Sequence, residues 1–360
     1  MHLRQLHIRQ FKNHTHRVFD FNESVIGFTG SNGIGKTNLL DAIHYLCLTK
    51  SYFIAQDTQN IQEGCDFFVL EGYFDAGTEQ SKLLIKQPAR GKKEVSRNNM
   101  VYEKLAEHIG RFPVVMITPY DVDLIQEGSE VRRKFLDTAI SQLDQTYLTQ
   151  LMQYQKVVAQ RNVLLKQLAE RNGADKALLA VLDTYDAQLL QYGEPIIAKR
   201  QAFLPELSAH FEQYYQLISG NAEAVRLTYV SGVQNRDFAT ALVQTRQADI
   251  AAQRSLVGCH RDDLEFSLRS LSLKKFGSQG QQKSFLLALK FAQWKITATH
   301  TGKKALLLLD DLFDRMDENR IRNLVALFPE FGQLFISDTH QERLAALLNE
   351  AGLKYELYRL

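Results

Sequence analysis

Gly30-Ser31-Asn32-Gly33-Ile34-Gly35-Lys36-Thr37 decides the fold. It fits G-x-x-x-x-G-K-[ST], a loop whose backbone N–H groups cradle phosphates. Its flanks fit as well. Val25 to Thr29 reads as a short buried strand feeding the loop, and Asn38 to Leu46 as the helix leaving it, with Leu39, Leu40, Ile43 and Leu46 on one face. Strand, turn and helix N-terminus make an anion site, because unpaired N–H groups converge there and the helix dipole favours negative charge. Gly30, Ser31, Asn32, Gly33, Ile34, Gly35 and Asn38 are the expected cradle. Lys36 is expected to reach the β- and γ-phosphates and Thr37 to offer its hydroxyl to Mg²⁺, so the ligand is a nucleoside triphosphate.

Outward from the loop, composition sets limits. A chain of 360 residues has room for about two domains, and 45% apolar with 23% charged residues is ordinary for a soluble protein. Lys plus Arg number 43 against 41 Asp plus Glu, so any nucleic-acid surface must be a local patch. Cys47, Cys65 and Cys259 are dispersed and lack metal-ligand spacing, which predicts reduced thiols and a cytoplasmic location. No apolar run approaches the roughly 20 residues that span a bilayer, so no membrane partner is expected. Met1 to Gln10 alternates like a strand rather than a signal peptide.

Leu3 to Ile8 and Val18 to Phe21 read as paired strands, followed past the first helix by Phe67 to Phe74 and Lys82 to Lys86. The stretch Lys86 to Arg97 reads as a polar connection holding five basic residues and one acid. From Arg132 the period changes. Leu136, Ile140, Leu143, Tyr147, Leu151, Tyr154, Val158, Leu165 and Leu168 trace the seam of one long helix, with Arg161 a polar intruder. Arg171 to Asp175 breaks it, and a second helical stretch is expected from about Lys176 to Leu217, bent or interrupted at Gly193 to Pro195 and again near Pro205. Two such helices would form an antiparallel arm of about 55–60 Å or pack as a helical subdomain. Strands are expected again at Val225 to Ser231, Leu264 to Leu268, Pro113 to Ile117, Leu306 to Leu309, Leu334 to His340 (ending in polar residues) and Lys354 to Tyr358. The fold class is α/β, with a head in two parts at 1–130 and 221–360 and a helical insertion at 131–220.

Leu306-Leu307-Leu308-Leu309-Asp310-Asp311 is a buried strand ending in two carboxylates. Asp310 at the carboxyl edge of a parallel sheet can hold Mg²⁺ beside Thr37, and Asp311 can orient the attacking water. Ser278-Gln279-Gly280-Gln281-Gln282 opens an apolar helix and resembles the L-S-G-G-Q signature of ABC-type ATPases. That resemblance implies a phosphate site built from Ser278, Gly280 and Gln281 and completed by a head-to-tail dimer, with ATP between the loop of one copy and the signature of the other. It also places Asp314-Arg315-Met316-Asp317 at the D-loop, with Asp317 near nucleotide, and His340 at the switch. No glutamine near Thr118-Pro119-Tyr120-Asp121 fits the Q-loop, which stays unassigned.

More than half the chain separates Lys36 from Asp310, as in SMC-like proteins with a shortened coiled coil. Phe11-Lys12-Asn13-His14, the loop and its helix through Ile43, Arg132-Arg133-Lys134-Phe135-Leu136-Asp137 and Gly258-Cys259-His260-Arg261-Asp262-Asp263-Leu264 together resemble the RecF family, over nearly the whole chain. Lys12 and Asn13 then join the expected nucleotide contacts. The family resemblance implies a slow, DNA-stimulated ATPase of recombination, replication, repair and the SOS response. It would dimerise on ATP at duplex or gapped DNA and work with RecR and RecO to load RecA. Asp311 stands where many ABC-type ATPases have Glu, and Cys259 where the family usually has proline. Lys92, Lys93, Arg97, Arg132 and Arg133 are the expected DNA contacts, since Lys and Arg supply most phosphate affinity. Two rivals stand beside this reading: a P-loop kinase acting on a metabolite, and the ATPase subunit of a membrane transporter.

Overall fold

Five strands, four of them with almost no polar residue, build the sheet that carries the loop. In the computed structural model, which describes residues 1–77, 79–171, 173–220, 223–233, 237–313 and 316–360, the order is Tyr355–Arg359, Val25–Thr29, Leu334–Asp338, Leu306–Leu309, Val114–Ile117, all parallel. The four inner-sequence strands are buried along their length, as parallel strands covered on both faces must be. Their carboxyl ends bring Thr29, Asp310, Asp338 and Thr118 to one edge, where ligands of such sheets bind.

A second, antiparallel sheet runs His14–Asp20, His2–Phe11, Phe67–Asp75, Gln80–Pro88, Glu94–Arg97, Met100–Val101. The helix Lys36–Leu48 touches both sheets and buries every residue but Thr37 and Asn38. A helix buried on all sides belongs in a core, and its buried polar Asp41 and His44 are hydrogen-bonded there. Its Leu39, Leu40, Ile43 and Leu46 pack with Leu6, Ile8, Phe68, Leu306 and Phe335 in one cluster.

Two compact units emerge: Met1–Val122 with His210–Glu223 and Ser278–Leu360, and Asp123–Ala209 with Ala224–Gly277. This corrects the expected boundary at 221. Val225–Val230 pairs antiparallel with Asp263–Leu268, and that strand pair groups with the helical insertion rather than the head.

Within the second unit the expected single helix is two, Ser129–Ser141 and Gln145–Glu170, because Asp144 caps the latter by accepting from Tyr147 N at 2.9 Å. The seam is buried at Leu136, Ile140, Tyr147, Leu151, Tyr154, Leu165 and Leu168, with Val157 buried where Val158 was expected. Lys176–Ser219 is one continuous helix with Pro195 and Pro205 inside it, so the chain is not interrupted at either proline. Buried Ile196, Phe203, Leu207 and Phe211 continue across both prolines, and that burial outweighs the missing backbone bonds. Arg161–Asp186 and Tyr147–Arg200 contacts set the two helices antiparallel. Among the described residues no helix is long and apolar enough to cross a membrane.

Candidate active site

Glycine makes the loop geometry possible. Gly30, Gly33 and Gly35 all have positive φ, and at Gly35 (φ 112°) a Cβ would lie 2.5 Å from Asn13 Nδ2 and 2.8 Å from His14 Cε1. Those neighbours brace the turn. Asn13 Nδ2 donates to Ile34 O at 3.0 Å, Asn38 Nδ2 donates to Asn13 Oδ1 at 2.9 Å, and His14 Nε2 meets Gly35 O at 3.1 Å. Burial lowers the His14 pKa, so the neutral ring with Nε2–H donating suits this place. Gly35 caps the helix Lys36–Leu48 without a side-chain bond, which leaves the first-turn N–H groups for an anion.

Lys36 is buried, and its ammonium donates to Gly30 O at 2.8 Å and Ser31 O at 3.1 Å. Thr37 Oγ1 lies 2.9 Å from both carboxylate oxygens of Asp310. Ser337, at the end of the neighbouring strand, donates to Asp310 Oδ1 at 2.6 Å and accepts from Asp311 N at 3.0 Å. Burial pushes the Asp310 pKa up, against the pull of Ser337, Thr37 and Lys36. Asp311 sits at φ 43°, a region that short Asp tolerates better than longer side chains. It closes a cleft of about 130 Å³ lined by Asn32, Gly33, Gly35, Lys36, Thr37, Asn38 and Asp311.

The oxygen-only set of Thr37 and Asp310 fits Mg²⁺, which prefers carboxylates and hydroxyls and keeps waters and phosphate oxygens around them. A buried carboxylate matched chiefly by neutral hydroxyls also favours a cation beside it. When bound, Mg²⁺ neutralises charge on phosphate oxygens.

The signature turn stands apart from this lining: among the described residues the cleft includes none of Ser278, Gly280 and Gln281. Ser278 caps Gln279–Thr301 with a reciprocal box, its Oγ accepting from Gln281 N at 3.3 Å and its N–H donating to Gln281 Oε1 at 2.7 Å. Gln281 Nε2 donates to Glu223 at 2.6 Å, and a Cβ on Gly280 would lie 2.2 Å from an Arg320 Nη1. Asp317 caps the helix Glu318–Val325 through Arg320 N, while Asp314 and Arg315 lie outside the described residues. His340 is exposed at the start of Gln341–Glu350, bonded to Thr339 Oγ1 at 2.8 Å.

With this geometry, residues 2–355 match the family model described as the RecF/RecN/SMC N terminal domain. The chain is 44% identical over 362 residues to a DNA replication and repair protein RecF of Flavobacterium johnsoniae, covering 100% of both. The chain belongs to the RecF family. A second RecF, of Cytophaga hutchinsonii, is 40% identical over 345 residues, 95% of this chain and 90% of that one. A structure of the recombination mediator protein RecF-ATPrS in the RecFOR pathway superposes with a TM-score of 0.87 at 27% identity, covering 100% of this chain and 96% of that one. Membership in a DNA replication and repair family displaces the kinase and transporter readings.

Several expected contacts of this RecF-family chain lie elsewhere. Lys12 does not line the cleft. Its ammonium pairs with buried Asp41 at 2.6 Å, in reach of the Phe53 ring. Lys93 is turned inward, donating to Asp57 at 2.7 Å and to Thr49 O at 2.5 Å, and burial lowers its pKa. Arg132 makes a two-pronged pair with Asp263 at 2.7 and 2.9 Å, and Arg133 donates to Asp262 O at 2.6 Å. In this structure these three side chains are engaged within the fold. Arg97 pairs with Glu79 at 3.1 Å, and Lys92 is exposed. Sequence reasoning missed His14 and Ser337. The polar tail of an otherwise apolar strand, Leu334-Phe335-Ile336-Ser337, was the available signal for Ser337.

Proposed function

We propose that this protein is an ATP-dependent DNA-binding recombination mediator whose working site is shared between two copies. Lys36 and the loop amides hold the triphosphate of ATP; Thr37 and Asp310 hold Mg²⁺; Asp311 orients water in line with the β–γ bond. Such chemistry is positioning and charge stabilisation rather than covalent work. What supports the shared site is that the cleft is lined by loop residues and Asp311, while the Ser278 turn, a second helix N-terminus, is not part of that lining. A second copy would bring its Ser278, Gly280 and Gln281 to the γ-phosphate, exchanging the capping bond for phosphate, with Asp317 and His340 nearby. The short side chain of Asp311 supports slow turnover, stimulated when duplex or gapped DNA stabilises the pair. RecR, RecO and RecA are the partners, and the cytoplasm the location, that family membership suggests.

Sizing chromatography of Asp311→Asn with and without ATP tests this. A dimer seen only with ATP, together with retardation of gapped duplex in a gel, is expected. A variant that stays monomeric with ATP, alongside a parent chain that hydrolyses ATP at full rate as a monomer, overturns the shared site.

A further inference from the structure

Thr118-Pro119-Tyr120-Asp121 has no role in the chemistry above, yet Asp121 is the centre of a buried polar chain. Its Oδ1 accepts from Lys290 Nζ at 2.7 Å and from Tyr52 Oη at 2.5 Å, and its Oδ2 accepts from Thr118 N at 2.7 Å. Lys290 also donates to Tyr52 Oη at 3.0 Å and to Met116 O at 3.1 Å. The backbone N–H of Tyr52 donates to Asp41 Oδ1 at 2.7 Å, and Ser51 donates to Asp41 Oδ2 at 2.6 Å. Side-chain exposure is 7% at Lys290, 3% at Asp121 and 0% at Asp41.

Three site elements meet through these bonds. Lys290 lies on the helix that Ser278 caps, and Asp121 follows the strand Val114–Ile117 beside the Asp310 strand. Asp41 lies one turn beyond Thr37 on the loop helix. A buried ion pair adds little stability over well-packed apolar side chains, but a satisfied polar network fixes one geometry. We propose that Lys290, Asp121 and Tyr52 are positioning residues that hold the signature helix in register with the phosphate loop. Nucleotide in a chain's own cleft thereby sets the aim of the Ser278 turn that the chain offers to its twin. The inference rests on the shared-site reading above.

Two variants of the full chain test it: Tyr52→Phe, which removes one shared hydroxyl, and the neutral pair Lys290→Met with Asp121→Asn, which strands no charge. Expected for Tyr52→Phe are an ATP affinity within about twofold of the parent and an unchanged melting temperature. ATP-driven pairing and kcat should each fall about three- to tenfold, with a larger fall in the double variant. If the parent pairs on ATP and both variants pair and hydrolyse like it, the positioning role is overturned while the shared site stands. A kcat that falls only in step with ATP affinity or melting temperature also overturns it, since the chain would then serve folding alone. If the parent itself never pairs on ATP, the shared site falls and this inference with it.

Discussion

Buried charge is handled in opposite ways in the helical unit and at the phosphate cleft of the head, although away from the cleft the head also holds matched pairs, Lys290–Asp121 and Lys12–Asp41. In the helical unit Arg161, fully buried, meets Asp186 and Asp249 each at 2.7 Å, and buried Arg200 meets Asp137 at 2.7 Å and Asp262 at 3.4 Å. Cation is matched by carboxylate within the fold. In the head, Asp310 is almost as deeply buried but takes its hydrogen bonds from two hydroxyls, while Lys36 is spent on loop carbonyls. A charge closed off by its opposite serves architecture. One held by neutral donors beside a cleft is kept for a ligand.

The contrast can be broken or sharpened by substitution. Arg161→Met strands Asp249, while Asp186 keeps Arg246 at 2.8 Å, and should lower unfolding free energy by about 3 kcal/mol in urea titrations; a change under about 1 kcal/mol would show that Asp249 finds another partner. Lys36→Met removes a charge kept for phosphate, so kcat should fall by roughly 10²–10³-fold, about 3–4 kcal/mol, with the unfolding midpoint little moved. Asp310→Asn separates the two uses of charge by pH. Burial raises the Asp310 pKa above 3.8, so the folded state holds the proton more tightly and stability declines as pH rises from there through the folded pKa. The amide should therefore melt higher than the parent at pH 7 and lose that advantage near pH 3, while hydrolysis is abolished. Lys92→Glu should act least, flattening the logarithmic salt dependence of duplex binding by about one unit and leaving ATP affinity untouched. Lys93→Glu, by contrast, should act on folding, because it sets a carboxylate against Asp57.

The strand, loop and helix from Val25 to Leu48 were legible because their chemistry is local: glycines, a lysine and a hydroxyl within eight positions. The acidic strand was legible for the same reason. Lys93 was not, since its partners Asp57 and Thr49 come from a different part of the chain and a basic run resembles a solvated one. Arg161 looked like an intruder because its acids lie 25 and 88 residues further along the chain. Pro195 and Pro205 do not interrupt the helix, because a continuous buried stripe outweighs the backbone bonds they remove, and that burial comes from partners distant in sequence.

The brace of Asn13 and His14 against the turn at Gly35 has a kinetic side. Because side chains from the adjoining hairpin already fix the peptide planes at 34 and 35, an arriving triphosphate has little backbone left to order. Association should therefore be quick and carry a small entropic penalty, and shortening Asn13 to alanine should slow capture of nucleotide even though that side chain is absent from the cleft wall.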